Sequence, residues 1–152
     1  MKKKLTLKKL EEWRGREIGL SDWMEINQGR INAFADCTDD HQWIHVDEKR
    51  AEKSPLKSTV AHGFLLLSLL PHFLSGTELY AYDVKMIINY GLNRVRFISP
   101  VKSGARIRSR AVLKDIEKKK WKKILLTVAC TIEIEGRSKP AAAAEVLVLV
   151  YL

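Results

Sequence analysis

Apolar and polar positions follow two different rhythms in the two halves of the chain. In the first half the spacing is mostly helical. Leu5, Leu7, Leu10 and Trp13 predict a short amphipathic helix that packs on the body. Residues 15–22 read as a loop, and residues 22–26 as a short strand. Ile31, Phe34 and Ala35 recur at helical spacing, which predicts a helix over 28–38. A second short helix is expected over 47–53, opened by Asp47 as its N-cap. A turn around Pro55 follows. Residues 63–74 are apolar nearly all round, the mark of a buried helix.

From residue 85 the character changes. Residues 85–97, 105–117, 121–135 and 142–152 are rich in Val, Ile and Leu, and Gly, Pro, Ser or charge clusters separate them. Four long strands with short connections predict one antiparallel sheet. The buried helix ahead of them must lie against it, so the fold class is α+β, a curved sheet around a central helix.

At 152 residues the chain is read as a single domain, 1–152, long enough to bury a core. Its longest apolar runs are too short to span a bilayer. The basic N-terminus lacks the apolar run and cleavage site of a signal peptide, so a cytoplasmic protein is expected. Cys37 and Cys130 form no CxxC pair or metal spacing, and Cys130, within ILLTVACTIEI, is expected in the core.

The formal charge of +9 favours polyanions. The lysines at 118–120, 122 and 123, around Trp121, read as a solvated hairpin end. Arg94, Arg96, Lys102, Arg106, Arg108 and Arg110 are expected to form one basic patch. No nucleic-acid recognition motif accompanies these charges, and neither a nucleic acid nor a membrane partner is expected.

The chemistry concentrates in DCTDDHQWIHVD, residues 36–47, and in AHGF, residues 61–64. Asp40 and His45 can hold a water between a polarising carboxylate and an imidazole that exchanges protons near neutral pH. Trp43 and Ile44 can exclude bulk water beside them. Gly63, at a helix start, lets a ligand approach free amides carrying positive partial charge. Such amides suit a thioester oxygen in the enolate-like state. His62 is expected to contact a ligand or to orient its neighbours, the second being preferred. The pair His41 and His45 raises a metal reading, but no Glu follows His41 as in HExxH, and no metal is expected. GxSxG and phosphate-loop patterns are absent.

The blocks DDHQWIHVDEKRA, TVAHGFLLLSLLP and NYGLNRVRFISPVKSGARIR, in that order, resemble the MaoC-like dehydratases. More narrowly they resemble the nodulation-protein-N-like branch of the (R)-specific enoyl-CoA hydratases, over about residues 20–150. The resemblance implies a hot-dog fold, a homodimer with active sites near its interface, and reversible hydration of a trans-2-enoyl-CoA to the (R)-3-hydroxyacyl-CoA. It places the catalytic pair on Asp40 and His45 and the thioester-binding amide on Gly63. Gln42 stands where the family often has Asn, Trp43 where it usually has Pro, and Asp39 where it commonly has Gly. Gln42, His62, Arg94 and Arg96 are the expected substrate-binding residues, the arginines meeting coenzyme A phosphates. No cofactor is expected, because coenzyme A belongs to the substrate. The alternatives are a non-catalytic acyl-CoA binding protein and a hot-dog acyl-CoA thioesterase.

Overall fold

The computed structural model describes residues 3–152. Among them, one antiparallel sheet holds six strands: β1 (Glu17–Leu20), β2 (Met24–Ile26), β3 (Met86–Phe97), β4 (Ala105–Lys119), β5 (Lys123–Ile134) and β6 (Ala142–Tyr151). The order is β1-β4-β5-β6-β3, with β2 also pairing β4. The four long strands fall where the Val, Ile and Leu runs lie. β1 was expected as loop. Its four residues pair with β4 across a register shift between Glu17 and Gly19, a stretch too short to show alternation.

β5 and β6 alternate strictly between buried and half-buried positions. Successive side chains on a strand point to opposite faces, so one face makes the core. Ile107, Leu113, Leu126, Val128, Ile132 and Val148 lie there, each no more than 2 % exposed. In β4 the partner shifts by one residue between Leu113 and Asp115. That bulge leaves Lys114 unpaired and returns Ile116 to the core face.

The helices are α1 (Leu7–Trp13), α2 (Gln28–Thr38), α3 (Trp43–Val46), α4 (Glu48–Lys53), α5 (Gly63–Ser68) and α6 (Leu70–Ser75), with a 3-10 turn at Glu78–Ala81. Thr6 caps α1, Asn27 caps α2 and Asp47 caps α4, each side chain accepting a hydrogen bond from an early helical amide. Trp43–Val46 form one helical turn. The buried central helix is divided at Leu69 into α5 and α6. Pro71 has no N–H to give to the carbonyl of Leu67, so the ladder is interrupted there. The Leu69 amide is shared between Leu65 and Leu66, at 3.2 and 3.3 Å. Leu65, Leu66, Leu70, Phe73 and Leu74 still seat the two segments in the core against the sheet.

Candidate active site

Three short pieces of chain converge at one mouth of the sheet. Helix α2 ends at Thr38, and Asp39 follows in the left-handed conformation, φ 57°. This reversal stops the helix and presents Asp40 on a loop. There the Asp40 carboxylate accepts a 3.4 Å bond from the Gln42 amide, closing a small turn. Helix α3 then carries His45 inward. The segment from Thr59 to Ala61 runs alongside, tied by Val60 N–H to Ile44 O at 3.0 Å and by Ala61 N–H to Val101 O at 2.8 Å.

His45 is 7 % exposed, and its Nδ1 lies 2.6 Å from the Val60 carbonyl. A carbonyl only accepts, so Nδ1 carries the proton and Nε2 is left as the base. Burial lowers the imidazole's pKa below its ordinary 6.5; the Val60 carbonyl opposes that shift, His62 reinforces it and Asp40 opposes it. The net effect is a neutral ring at pH 7.

His62 is buried too, and its ring stacks on His45 with centroids 3.8 Å apart and planes 26° from parallel. Its Nε2 donates to the Asp40 carbonyl at 3.0 Å. Its Nδ1 is buried without a hydrogen-bond partner. One imidazole therefore holds the backbone of Asp40 and the ring of His45 together.

Side-chain ligand atoms of Asp40, His45 and His62 lie within 4.8 Å of one another. Polar atoms this close together are the surroundings that an ordered water requires. A shared metal ion fits less well. A ligating imidazole holds its metal in the ring plane, and two near-parallel planes 3.8 Å apart do not meet at one ion. His41, the other half of the metal reading, turns outward and pairs with Asp36 at 2.8 Å, which raises its pKa.

Gly63 opens α5 directly after His62, and the first amides of a helix have no intrahelical acceptor. A Cβ on Gly63 would come within 2.8–2.9 Å of the Phe97 ring, so a side chain there requires the ring to move. Phe97 ends β3 and is half exposed, roofing the glycine.

Gln42 is exposed at the start of α3, where its carbonyl accepts from His45 N–H at 2.9 Å. Arg94 and Arg96 lie exposed on β3, the strand that ends at Phe97, and Arg96 bonds the Val95 carbonyl. The single basic patch does not form. Arg106 pairs with Glu135, Arg108 with Glu133, and Arg110 with Glu133 and Glu17, all on β4 and its neighbours. Two strands, β5 and β6, separate them from Arg94 and Arg96 on β3. Cross-strand Glu partners, legible only with the register, absorb those charges. Cys37 is exposed at the end of α2. Cys130 is buried, and burial pushes its thiol up to about 12, so it stays protonated.

The sequence did not point to Gln28. Its Nε2 donates to the His45 carbonyl at 2.7 Å and to Asn32 Oδ1 at 2.9 Å, while its Oε1 accepts from the buried hydroxyl of Thr59. It thus joins α2, α3 and the segment leading to His62. No local pattern links residues 28, 45 and 59.

Residues 9–135 match the family model described as a MaoC like domain. The chain is 47% identical over 135 residues to 3-hydroxyacyl-thioester dehydratase Z of Mycobacterium tuberculosis, covering 88% of each. It is 46% identical over 132 residues to nodulation protein N of Rhizobium meliloti, covering 86% of this chain and 81% of that one. Among solved structures, the (R)-hydratase from A. caviae superposes with a TM-score of 0.73 at 22% identity, over 89% of this chain and 94% of the other. The fold is the hot-dog fold. A helix-backed antiparallel sheet, an Asp and a His at one mouth, and these matches agree, and the chain belongs to the MaoC-like dehydratase family, as a hydro-lyase.

Proposed function

We propose that the protein adds water reversibly to a trans-2-enoyl-CoA, giving the (R)-3-hydroxyacyl-CoA. The observation that carries this is the buried His45, with Nδ1 engaged by Val60 and a ring nitrogen within 4.8 Å of ligand atoms of Asp40 and His62. Asp40 and His45 hold the water. His45 Nε2 takes a proton from it as its oxygen bonds to C3. The same face returns a proton to C2, which is the syn outcome. The Gly63 amide receives the thioester oxygen while negative charge develops there. Coenzyme A phosphates meet Arg94 and Arg96, which have no carboxylate partner among the described ion pairs, whereas Arg106, Arg108 and Arg110 do. His62 is assigned a positioning role.

The proposal includes a homodimer. β3 is an edge strand, and Ile88, Tyr90 and Leu92 on it are 38–61 % exposed. Phe64, on α5 next to Gly63, is 70 % exposed. An apolar groove of about 500 Å³ lies between this helix and β3. An unpaired apolar edge is a liability unless another strand covers it. Two-fold pairing of β3 with the same strand of a second copy supplies that strand and closes the groove beside the site.

The test is the ultraviolet absorbance of crotonyl-CoA and of a longer trans-2-enoyl-CoA with purified protein. Loss of the conjugated-thioester band is expected. Asp40→Asn and His45→Asn should each lower the rate by about 10²–10⁴-fold. Binding without turnover would mean a carrier of acyl-CoA, and release of free thiol would mean a thioesterase.

A further inference from the structure

At the end of the sheet remote from Asp40 and His45, the molecule is dense in lysine. β4 and β5 are joined there by a three-residue turn, residues 120–122, in which Trp121 and Lys122 hold positive φ, 64° and 54°. Trp121 is 84 % exposed at the apex. Lys118, Lys119, Lys120, Lys122 and Lys123 surround it.

Other lysines reach the same end. Asp83 N–H bonds Lys3 O at 2.8 Å, Lys85 N–H bonds Tyr151 O at 2.9 Å, and Leu152 N–H bonds Lys122 O at 3.2 Å. These bonds gather Lys3, Lys4 and Lys85 beside the hairpin. Asp83 and Glu117 are the carboxylate side chains on these segments, and Glu117 already pairs with Lys119. A small recess of about 220 Å³, floored by Leu7, Ile124 and Leu152, opens between the lysines.

We propose that this tip docks the protein on the surface of an anionic phospholipid bilayer. Tryptophan favours the headgroup level, where an apolar ring and a polar N–H are both accommodated. Trp121 and Lys122 hold a left-handed backbone that bulky side chains disfavour, so local backbone preference does not explain a tryptophan there. Every cation of the cluster is lysine and none is arginine. A compact, hydrated ammonium suits a fluid array of headgroup charges, whereas fixed phosphate or base recognition uses the planar arginine fork. Polybasic attraction and an inserted apolar group are the two signals that together hold a protein on a membrane. Such docking needs no spanning helix, and among the described residues no helix is long and apolar enough to be one. It revises the expectation of no membrane partner.

The tip is a strand's length from the site. From Ala105 to Lys119, β4 extends roughly 45 Å at about 3.3 Å per residue. Docking therefore leaves Asp40 and His45 of the same chain open, and it is independent of the hydratase reading.

The test is sedimentation of the full chain with vesicles of phosphatidylcholine and with an equimolar mixture of phosphatidylcholine and phosphatidylglycerol. Binding to the mixed vesicles alone, weakened by added salt, is expected. Each lysine contributes about fivefold to the partition coefficient, so Lys120→Glu with Lys122→Glu should lower it by at least about 25-fold. Trp121→Asn, which accepts the left-handed backbone, should weaken binding several-fold while leaving the salt dependence in place. Both variants should keep the circular-dichroism spectrum and the enoyl-CoA activity of the parent. Equal partition onto neutral and mixed vesicles, no sedimentation, or an unchanged partition of the Trp121 variant would overturn the proposal. So would retention of duplex DNA in preference to the mixed vesicles, which would assign the lysines to nucleic acid.

Discussion

Burial disfavours the imidazolium of His45 by more than the Val60 carbonyl and the Asp40 carboxylate favour it. The consequence has a sign. The folded ring has a lower pKa than the ordinary 6.5, so just below pH 6.5 the unfolded chain binds more protons than the folded one. Stability from this residue is complete above pH 6.5 and is lost as pH falls through the lowered folded value. Denaturant midpoints measured against pH should fall on the acid side, and His45→Asn should reduce that slope. The activity should keep its basic form at pH 7 and decline only on the acid side, as a kcat/KM profile would report.

Two neighbouring residues carry backbone constraints. Asp39 holds φ 57° at the end of α2, where the family commonly has Gly. Asp39→Gly should raise stability by up to about 1 kcal/mol, read from thermal melts, because glycine meets no steric cost there. Gly63 is the opposite case. Gly63→Ala should cost about 1–3 kcal/mol, since the new methyl overlaps the Phe97 ring, and Phe97→Ala should restore much of that stability. The Gly–Phe contact spans 34 positions of sequence and could not be read from AHGF itself.

At the scale of elements, the site stands where α2, α3 and the start of α5 meet. Gln28 joins the first two and, through Thr59, the approach to the third. Gln28→Leu leaves the buried Thr59 hydroxyl and the His45 carbonyl without that partner, at a cost of about 1–3 kcal/mol. A shift of His45 by about an ångström lowers turnover by about 10²-fold. The expected result is a folded enzyme with lowered kcat and little change in KM. A full loss of structure, or unchanged kcat, would remove Gln28 from the machinery. Helix α2 itself was legible from Ile31, Phe34 and Ala35, and α4 from the Asp47 cap, because both signals are local. β1 and the break at Leu69 were not. The first pairs only through a bulge to a strand some ninety residues away, and the second depends on a missing Pro71 amide inside a largely apolar stretch.

At the scale of the whole molecule, β3 is the unfinished edge. Tyr90→Arg with Leu92→Glu puts charge on the face assigned to the second copy. Sedimentation velocity should then report a monomer, with activity falling in step if the groove beside Gly63 needs the partner wall. A parent protein that is already monomeric and fully active would remove the dimer from the mechanism.

The sequence by itself determined the class of fold, because alternation in the long strands and the all-round apolarity of residues 63–74 are local records of what must be buried. It also singled out Asp40, His45 and His62–Gly63 as candidates, since they sit in two compact blocks. Only the tertiary structure decided which atoms those groups meet. The Val60 carbonyl fixes the tautomer of His45 from fifteen residues away, and His62 clamps Asp40 across twenty-two. It also decided the fate of the arginines, whose charges are answered by Glu133, Glu135 and Glu17 on neighbouring strands. Proton position and charge pairing are set by distances of a few ångströms between atoms far apart in the chain, and those distances exist only once the sheet has closed over the helix.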